Sequence, residues 1–308
     1  MILVVCPNLA VDVTLQVDAL RRGEVHRAAH SSKQAGGKGV NVARALRGLG
    51  EAPLVLGLSG GIAGEAIRLG LARDGIESDL VPFEGESRTC IIVLEKDGTA
   101  TVVNEAGPQT DDRGELLRRF QTHLPEAKAV ALMGSVPPGI SIEIFDVMSR
   151  MCREREKFCL LDTSGAALEV GLRGRPSVAK PNRGEAESLL GSSLDTDDDR
   201  KDALRMIRTL GAEMAILTFG SEGIWLADGR TSARCSMPPT NLRLGNPTGA
   251  GDALAAGVIV GHVRSYELAD LARLAVAAAT ASLAEGYGRI RPRDLRPEAA
   301  RFEPLSVG

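Results

Sequence analysis

Short apolar runs alternate with longer amphipathic stretches along most of the chain. Several runs are apolar throughout, which is typical of strands in a sheet that is covered on both faces. The predicted strands are Ile2–Cys6, Leu54–Leu58, Val130–Met133, Phe158–Asp162, Ser177–Lys180, Met214–Thr218 and Ile224–Ala227. The predicted helices between them are Val40–Leu49, Ala63–Asp74, Asp111–His123, Ile142–Arg155 and Asp199–Leu210. Repeated strand–helix units of this kind predict an α/β fold with a doubly wound, mostly parallel sheet flanked by helices.

Two stretches depart from this alternation. Residues 12–35 carry a loose pattern of alternating apolar positions without a helical stripe. Residues 87–107 contain the strand-like runs Thr89–Leu94 and Thr99–Asn104, joined by a Lys-Asp-Gly turn, which is a hairpin signal. We interpret both stretches as a small β-sheet lid on the α/β body. Edge hairpins without a gating role are the alternative that the periodicity leaves open.

The length of 308 residues suffices for one large α/β domain, and we expect a single domain over residues 1–308. The net charge is −3 and aromatic residues make up 3%, so neither a basic surface nor stacking platforms indicate nucleic-acid binding. No apolar run is long enough to span a membrane and the start lacks the features of a signal peptide, so we expect a cytoplasmic protein. Scattered cysteines suit buried thiols in a reducing compartment better than disulfides or a zinc site: Cys6, Cys90, Cys152, Cys159 and Cys235.

A glycine-rich segment, Asn246-Pro-Thr-Gly-Ala-Gly-Asp252, precedes a run of small residues that predicts a helix. The backbone amides of Gly249, Ala250 and Gly251 can approach an anion closely, and the helix adds unpaired N–H groups and the positive end of its dipole. Asp252 then places a negatively charged carboxylate at a position that also favours binding of a phosphate. This arrangement suits phosphoryl transfer, in which the amides hold the moving group and Asp252 takes a proton from the attacking hydroxyl. Taken alone, the segment favours a glycine-rich turn with an acidic residue in the first turn of a helix, and the motifs elsewhere in the chain are what favour phosphoryl transfer.

Other patterns that would explain phosphate or metal chemistry are missing from the sequence. The chain contains no Gly-x-x-x-x-Gly-Lys-Ser/Thr, no Gly-x-Gly-x-x-Gly after the first strand and no His-Glu-x-x-His. These absences argue against a P-loop enzyme and a nicotinamide dehydrogenase. His26 and His30 are four residues apart, but they lie in the predicted lid, outside any helical pattern, so a metal pair is not indicated there.

Residues 36–44, Gly-Gly-Lys-Gly-Val-Asn-Val-Ala-Arg, resemble the first signature of the ribokinase-like (PfkB-type) carbohydrate kinases, and residues 246–261 resemble the second. Further matches follow in the family's order: Asn8–Asp12, Ser87–Thr89, Asn104–Pro108, Gly134–Gly139, Leu161–Gly165, Lys180–Glu185 and Thr218–Gly223. Together they cover essentially the whole chain and are most similar to the phosphofructokinase branch. The resemblance implies a Rossmann-like α/β body with a β lid, and a homodimer formed through the lids.

The resemblance also implies which residues bind the sugar. Arg88 matches a lid arginine that grips the phosphate already present on the substrate in the branch that takes phosphorylated sugars. Arg27 matches a basic residue that this branch can extend across the dimer. The complete set implied for the substrate is Asp12, Arg27, Gly37, Lys38, Asn41, Arg88 and Ser135.

On the nucleotide side, Asn182 and Glu185 match the family's Asn-x-x-Glu motif, whose glutamate orders water around Mg²⁺. The same spacing is that of a helix-capping box. The alanine-rich segment Val276–Ser282 leaves room for an adenine or, alternatively, for close helix packing. The residues implied for the nucleotide are Lys180, Asn182, Thr218, Gly220, Ser221 and Gly223, and Glu185 is implied for the metal.

These matches lead us to expect an ATP- and Mg²⁺-dependent kinase that phosphorylates a hydroxymethyl group of a phosphorylated ketohexose. 1-Phosphofructokinase activity is the first expectation, and tagatose-6-phosphate kinase or 6-phosphofructokinase activities are the alternatives. A kinase of an unphosphorylated sugar or nucleoside, and a catalytically silent sugar-phosphate sensor, are more distant alternatives. The sequence departs from the family at Leu9, where many members have proline, and at Cys90, where asparagine is frequent. Both departures leave the choice of sugar phosphate open.

Overall fold

The computed structural model describes residues 1–237 and 247–305, so Asn246 of the glycine-rich segment lies outside the described residues. The strands are β1 (Ile2–Asn8), β2 (Ala10–Val17), β3 (His30–Gly36), β4 (Pro53–Ser59), β5 (Glu77–Pro82), β6 (Arg88–Glu95), β7 (Ala100–Asn104), β8 (Ala129–Met133), β9 (Phe158–Asp162), β10 (Val178–Ala179), β11 (Met214–Thr218), β12 (Ile224–Ala227), β13 (Ser232–Ser236) and β14 (Arg301–Pro304). The helices are α1 (Lys38–Gly48), α2 (Gly61–Arg73), α3 (Arg113–His123), α4 (Ile144–Glu154), α5 (Ala166–Arg173), α6 (Arg183–Leu190), α7 (Asp197–Leu210), α8 (Ala250–Val263) and α9 (Leu268–Ser282).

Ten strands form one large sheet in the order β14-β13-β12-β11-β10-β9-β8-β1-β4-β5. The strands from β11 to β5 in this order all pair in parallel. β12, β13 and β14 extend the sheet through antiparallel pairs. The predicted mostly parallel α/β sheet is therefore confirmed, with an antiparallel extension at one edge.

The two faces of the large sheet are covered by different helices. Val4 of β1 packs in the core that includes residues of α1, α8 and α9, whereas Val5 packs in the core that includes α3, α4, α5 and α7. Successive residues of a strand point to opposite faces, so a strand buried on both faces is apolar throughout. α8 is also apolar nearly all round, because it lies between the sheet and α9. None of the helices in the described part of the chain is both long and apolar enough to cross a membrane.

The predicted helices are all present, although their ends differ from the predictions by a few residues. α7 begins earlier than predicted, because Thr196 and Asp199 form a capping box at its start. β10 is shorter than the predicted strand, with only Val178 and Ala179 paired. The apolar periodicity did not predict α5 and α6, since helices of eight residues show too few turns for a clear period. The capping-box spacing of Asn182 and Glu185 did indicate where α6 begins.

The strands β2, β3, β6 and β7 form a second sheet in the order β3-β2-β6-β7, which we call the small sheet. β2 pairs with β3 and also, in parallel, with β6, so the two stretches that departed from the α/β pattern meet in one sheet. β6 and β7 form the predicted antiparallel hairpin. Leu9 alone separates β1 from β2, so the chain passes directly from the large sheet into the small sheet.

Candidate active site

Two neighbouring cavities open where parallel strands of the large sheet end, the usual position of ligands in open α/β sheets. The first has a volume of about 360 Å³ and is lined by residues of the small sheet and of the segments that follow β8 and β9. The second has a volume of about 410 Å³ and lies between the segment after β11 and helices α8 and α9. Thr248 and Asp252 line the first cavity, whereas Ala250 and Gly251 line the second. The start of α8 therefore forms the boundary between two binding spaces.

The first cavity brings together the residues predicted for the sugar, except Arg27. Its lining includes Asp12, Gly37, Lys38, Asn41, Arg88 and Ser135, together with Glu185 and Asp252. Arg27 lies on the exposed connection between β2 and β3, outside this lining. The second cavity is lined by Thr218, Gly220, Ser221 and Gly223, and also by Val276 and Ala279 of the alanine-rich segment.

The backbone at Gly249 sets the direction in which α8 begins. Gly249 has a φ of 87°, and a β-carbon at this position would come within 2.4 Å of the backbone nitrogen of Gly288. Glycine is therefore required by both its conformation and its surroundings. Gly251 has more room, because an added β-carbon would meet only Lys180 Nζ, at 3.8 Å. The helix of 14 residues that follows directs the positive end of its dipole at the boundary between the cavities.

Asp252 is buried in the first turn of α8. Asn41 Nδ2 donates a hydrogen bond of 2.9 Å to Asp252 Oδ2. Burial, followed by the negative charge of Asp162, raises the pKa of Asp252 to about 6, while Lys38 and the hydrogen bond from Asn41 act in the opposite direction. A carboxyl group with this pKa is ionised at neutral pH and is a stronger base than an ordinary aspartate, as proton abstraction requires.

Asp162, at the end of β9, is held between two lysines. Lys38 Nζ lies 2.7 Å from Asp162 Oδ1, and Lys180 Nζ lies 2.7 Å from Asp162 Oδ2. Burial acts to raise the pKa of Asp162, but the two lysines outweigh this effect and lower it. Sequence reasoning did not select Asp162, although the residue lies within one of the matched motifs. A polar residue that directly follows a buried strand run is the signal that points to it.

Asp12 lies in β2, just after the chain enters the small sheet. Its side chain is buried and lines the first cavity. Burial raises the pKa of Asp12 to about 6, against the opposing charges of Arg44 and Arg88. A buried carboxylate needs hydrogen-bond donors, and sugar hydroxyls are suitable donors for it.

Arg88 begins β6 and faces the first cavity. Its Nε donates a hydrogen bond of 3.2 Å to the backbone oxygen of Asn8, and its Nη1 donates one of 3.2 Å to the backbone oxygen of Glu105. The Glu105 carboxylate instead accepts a hydrogen bond of 2.7 Å from the backbone nitrogen of Thr89. Within residues 1–237 and 247–305, no carboxylate forms an ion pair with Arg88. The charge of Arg88 acts to lower the pKa of Asp12 in the same cavity, but its guanidinium makes no direct bond to a carboxylate of the described residues.

Asn182 and Glu185 form a capping box at the start of α6. The Asn182 side chain accepts a hydrogen bond from the backbone nitrogen of Glu185, and Glu185 Oε2 accepts one from the backbone nitrogen of Asn182. Glu185 Oε1 lies 3.2 Å from Lys38 Nζ, and the residue lines the first cavity. Glu185 thus caps α6 and also lines the first cavity, so the two interpretations of the Asn182–Glu185 spacing are compatible.

The first cavity contains further residues that sequence reasoning did not select. Cys90 and Asn104 are paired across the hairpin, and both face the cavity with Arg88. Thr163 follows Asp162, and its Oγ1 is buried without a hydrogen-bond partner in the described part of the structure. The period-two alternation of a strand could have selected Cys90 once Arg88 was assigned to the inner face. Thr163 lies in the matched segment Leu161–Gly165 and directly follows β9, so the signal that points to Asp162 applies to it as well.

Residues 1–292 match the pfkB family of carbohydrate kinases, and the chain belongs to this family. It is thus a sugar kinase with the ribokinase-like fold. The structure is similar to that of a Thermotoga maritima protein named as a possible 1-phosphofructokinase, with 25% identity, coverage of 99% of each chain and a TM-score of 0.88. It is also similar to phosphofructokinase-2 from Escherichia coli in complex with substrates and products, with 23% identity, coverage of 96% of each chain and a TM-score of 0.86.

Proposed function

We propose that this kinase transfers the γ-phosphoryl group of ATP to a hydroxymethyl group of a phosphorylated ketohexose, and that fructose 1-phosphate is the substrate. The observation that supports a phosphorylated substrate is the position of Arg88, whose positive charge faces the same cavity as Asp252. A dianionic phosphate would bond directly to the Arg88 guanidinium, through charge-assisted hydrogen bonds that no carboxylate of the described residues makes. The similarity to the T. maritima protein supports fructose 1-phosphate within this class.

In this proposal each group of residues around the first cavity has a different role in the reaction. Asp252 accepts the proton of the hydroxymethyl group while the hydroxymethyl oxygen bonds to the γ-phosphorus and the bond from that phosphorus to the leaving ADP breaks. Asn41 holds the Asp252 carboxylate. Asp12 and Ser135 are placed to bind sugar hydroxyls. The first-turn amides of α8, from Gly249 to Gly251, stabilise the negative charge that develops on the transferring group. Lys38 and Lys180, held by Asp162, add positive charge close to that position.

The second cavity is suited to the nucleotide. Many of the residues that line it are small or apolar, among them Ala279 of α9 and Gly220 and Ser221 of the segment after β11. A flat base needs such a slot, and apolar lining with a few polar groups is usual for small-molecule sites. In this proposal the base occupies this cavity and the phosphates point at the first turn of α8.

Glu185 is a suitable residue for Mg²⁺, because this ion usually keeps several waters and uses one or two carboxylates with substrate phosphates. Among the described residues no group of three histidine, cysteine or acidic side chains could hold a metal ion. When bound, Mg²⁺ would neutralise phosphate charge. In this proposal Glu185 holds ordered water, while its Oε1 also keeps Lys38 in place.

We also propose that the chain forms a homodimer through the small sheet, with Arg27 extending toward the partner. Ile91 and Val103, on the face of the small sheet away from the first cavity, are 39% and 61% exposed. Neighbouring apolar side chains on an exposed sheet face favour contact with a second copy. The position of Arg27, outside the cavity of its own chain, agrees with a role at such an interface.

The substrate is tested by a coupled assay of ADP release over fructose 1-phosphate, fructose 6-phosphate, tagatose 6-phosphate, fructose, ribose and adenosine. We expect the highest kcat/KM with fructose 1-phosphate. A preference for fructose 6-phosphate or tagatose 6-phosphate would keep the class and change the sugar. A preference for an unphosphorylated acceptor would overturn the role of Arg88, and no turnover on any acceptor would favour a sugar-phosphate sensor.

A further inference from the structure

Arg44 is a buried arginine in α1, and its side chain is committed to three partners. Its Nε donates to Asp74 Oδ2 at 2.6 Å, and its Nη2 donates to the backbone oxygen of Ala35 at 2.7 Å. Its Nη1 donates to Asn41 Oδ1 at 3.2 Å. Arg44 is 5% exposed, so it is shielded from solvent and has little freedom to move. The planar guanidinium therefore offers a fixed donor to one atom of the Asn41 amide.

This contact determines which way the Asn41 amide faces. A guanidinium can only donate hydrogen bonds, so the Asn41 oxygen must point toward Arg44. The NH₂ group then points toward Asp252 Oδ2, at 2.9 Å. The opposite orientation would set two donors against each other at Arg44 and two acceptors against each other at Asp252. Both mismatches would be buried, where unsatisfied polar groups are costly.

Asp252 depends on this donor more than an exposed carboxylate would. It is 7% exposed and lies close enough to Asp162 to be affected by its charge. The Asn41 hydrogen bond favours the ionised carboxylate and fixes the position of Oδ2. We propose that Arg44 is a positioning residue for phosphoryl transfer, which acts by orienting the Asn41 amide toward Asp252. The inference rests on the role proposed above for Asp252 as the proton acceptor.

Arg44 is itself anchored from outside the cavity. Asp74, which follows α2, contacts Arg44 Nε and also lies 3.4 Å from Arg289 Nη2. Arg289 Nη1 in turn donates to Gln34 Oε1 in β3 of the small sheet at 2.9 Å. The orientation of the Asn41 amide is thus supported by residues that do not line either cavity.

A double-mutant cycle tests this role. Arg44→Met removes the donor, and we expect kcat to fall about 10- to 100-fold, with a change of less than about threefold in KM for the sugar. In an Asn41→Ala background, the same Arg44→Met change should lower kcat by less than about threefold, because residues that act through one another are not additive. Arg47→Met removes a charge from the exposed face of the same helix, one turn further on, and should leave kcat unchanged.

Two controls separate the positioning role of Arg44 from a loss of folding and from a wrong assignment of the sugar. Arg44→Lys keeps a charge beside Asp74, but a single ammonium group cannot span the positions of Asp74, Ala35 and Asn41 as the three guanidinium nitrogens do. It should therefore remain folded and still show a lowered kcat. It gives the answer even where Arg44→Met is too unstable to assay. Equal effects of Arg44→Met with and without Asn41, or a normal kcat in Arg44→Lys, would overturn the positioning role. The double-mutant cycle is measured with the sugar that the wild type phosphorylates best. A wrong assignment of the sugar would therefore be detected by the ADP-release screen and would not affect the result of the cycle.

Discussion

Gly36 and Asp12 are packed so closely that a β-carbon on Gly36 would lie 2.1 Å from the Asp12 carboxyl carbon. Gly36 ends β3 and pairs with Ala10 in the register of the small sheet, two residues before Asp12. The absence of a side chain at Gly36 therefore creates the space that the Asp12 carboxylate fills. The space needed by the Asp12 side chain therefore explains why glycine stands at position 36, independently of backbone flexibility.

Gly36→Ala should displace the Asp12 carboxylate and weaken sugar binding. We expect KM for the sugar to rise about tenfold or more, since a hydrogen bond to a charged group contributes about 1.5–3 kcal/mol. Steady-state kinetics at varied sugar concentration measures the change. Gly114→Ala is the matched control, because an added β-carbon in α3 would meet no atom within 4 Å. An unchanged KM in Gly36→Ala would remove Asp12 from the sugar site.

Asp252→Asn should remove the proton acceptor while retaining the shape of the side chain. We expect kcat to fall by about 10²–10⁴-fold, with little change in nucleotide affinity. The lower end is expected, because a loose transition state needs little proton abstraction at an early stage. Single-turnover rates and nucleotide titration measure the two quantities. Turnover close to that of the wild type would place the base elsewhere.

The pH dependence follows from the pKa of Asp252, about 6 in the folded protein. Activity should rise as pH increases through about 6, because only the ionised carboxylate accepts a proton. Stability should change in the opposite direction: a raised carboxyl pKa contributes stability at low pH that is lost as pH rises through the folded value. Urea unfolding of Asp252→Asn should therefore show a larger gain over the wild type at pH 8 than at pH 5, by about 1–3 kcal/mol. An equal difference at both values would show that the pKa of Asp252 is not raised.

Gly251→Ala places one methyl group where the backbone should approach the transferring phosphoryl group. The position has space for it, since the nearest neighbour is Lys180 Nζ at 3.8 Å. We expect a normal fold and a barrier raised by about 3 kcal/mol, because the amides of this turn lose their close approach. Circular dichroism and kcat measurements test the two parts. Full activity in this variant would mean that the segment is only a turn that opens α8.

Arg88→Ala distinguishes a phosphorylated substrate from a neutral one. Losing a charge-assisted hydrogen bond to phosphate should raise KM for the phosphorylated sugar about tenfold or more. Activity on the matching unphosphorylated sugar should barely change. The effect should also weaken as salt increases, although partial burial limits screening. Equal losses on both sugars would show that Arg88 serves the hairpin through its bonds to Asn8 and Glu105.

The sequence by itself determined the class of fold and selected most of the polar residues that line the first cavity. Continuous apolar runs identified the strands of the large sheet, because a strand buried on both faces must be apolar throughout. The ordered motifs identified Lys38, Asn41 and Asp252 separately, and the structure places all three in one lining. The gating role of the small sheet and the role of Arg27 remain predictions.

Only the tertiary structure decided how these residues act on one another. Asn41 and Asp252 are 211 positions apart, and their hydrogen bond depends on the packing of α1 against α8. Asp162 joins Lys38 to Lys180 for a similar reason, since the three residues lie in α1, at the end of β9 and just after β10. Local patterns report propensity and burial, which arise within a few residues of the chain. Ion pairs, the orientations of amides and raised pKa values depend on neighbours in space. Those neighbours are fixed only when the sheet and its helices are packed.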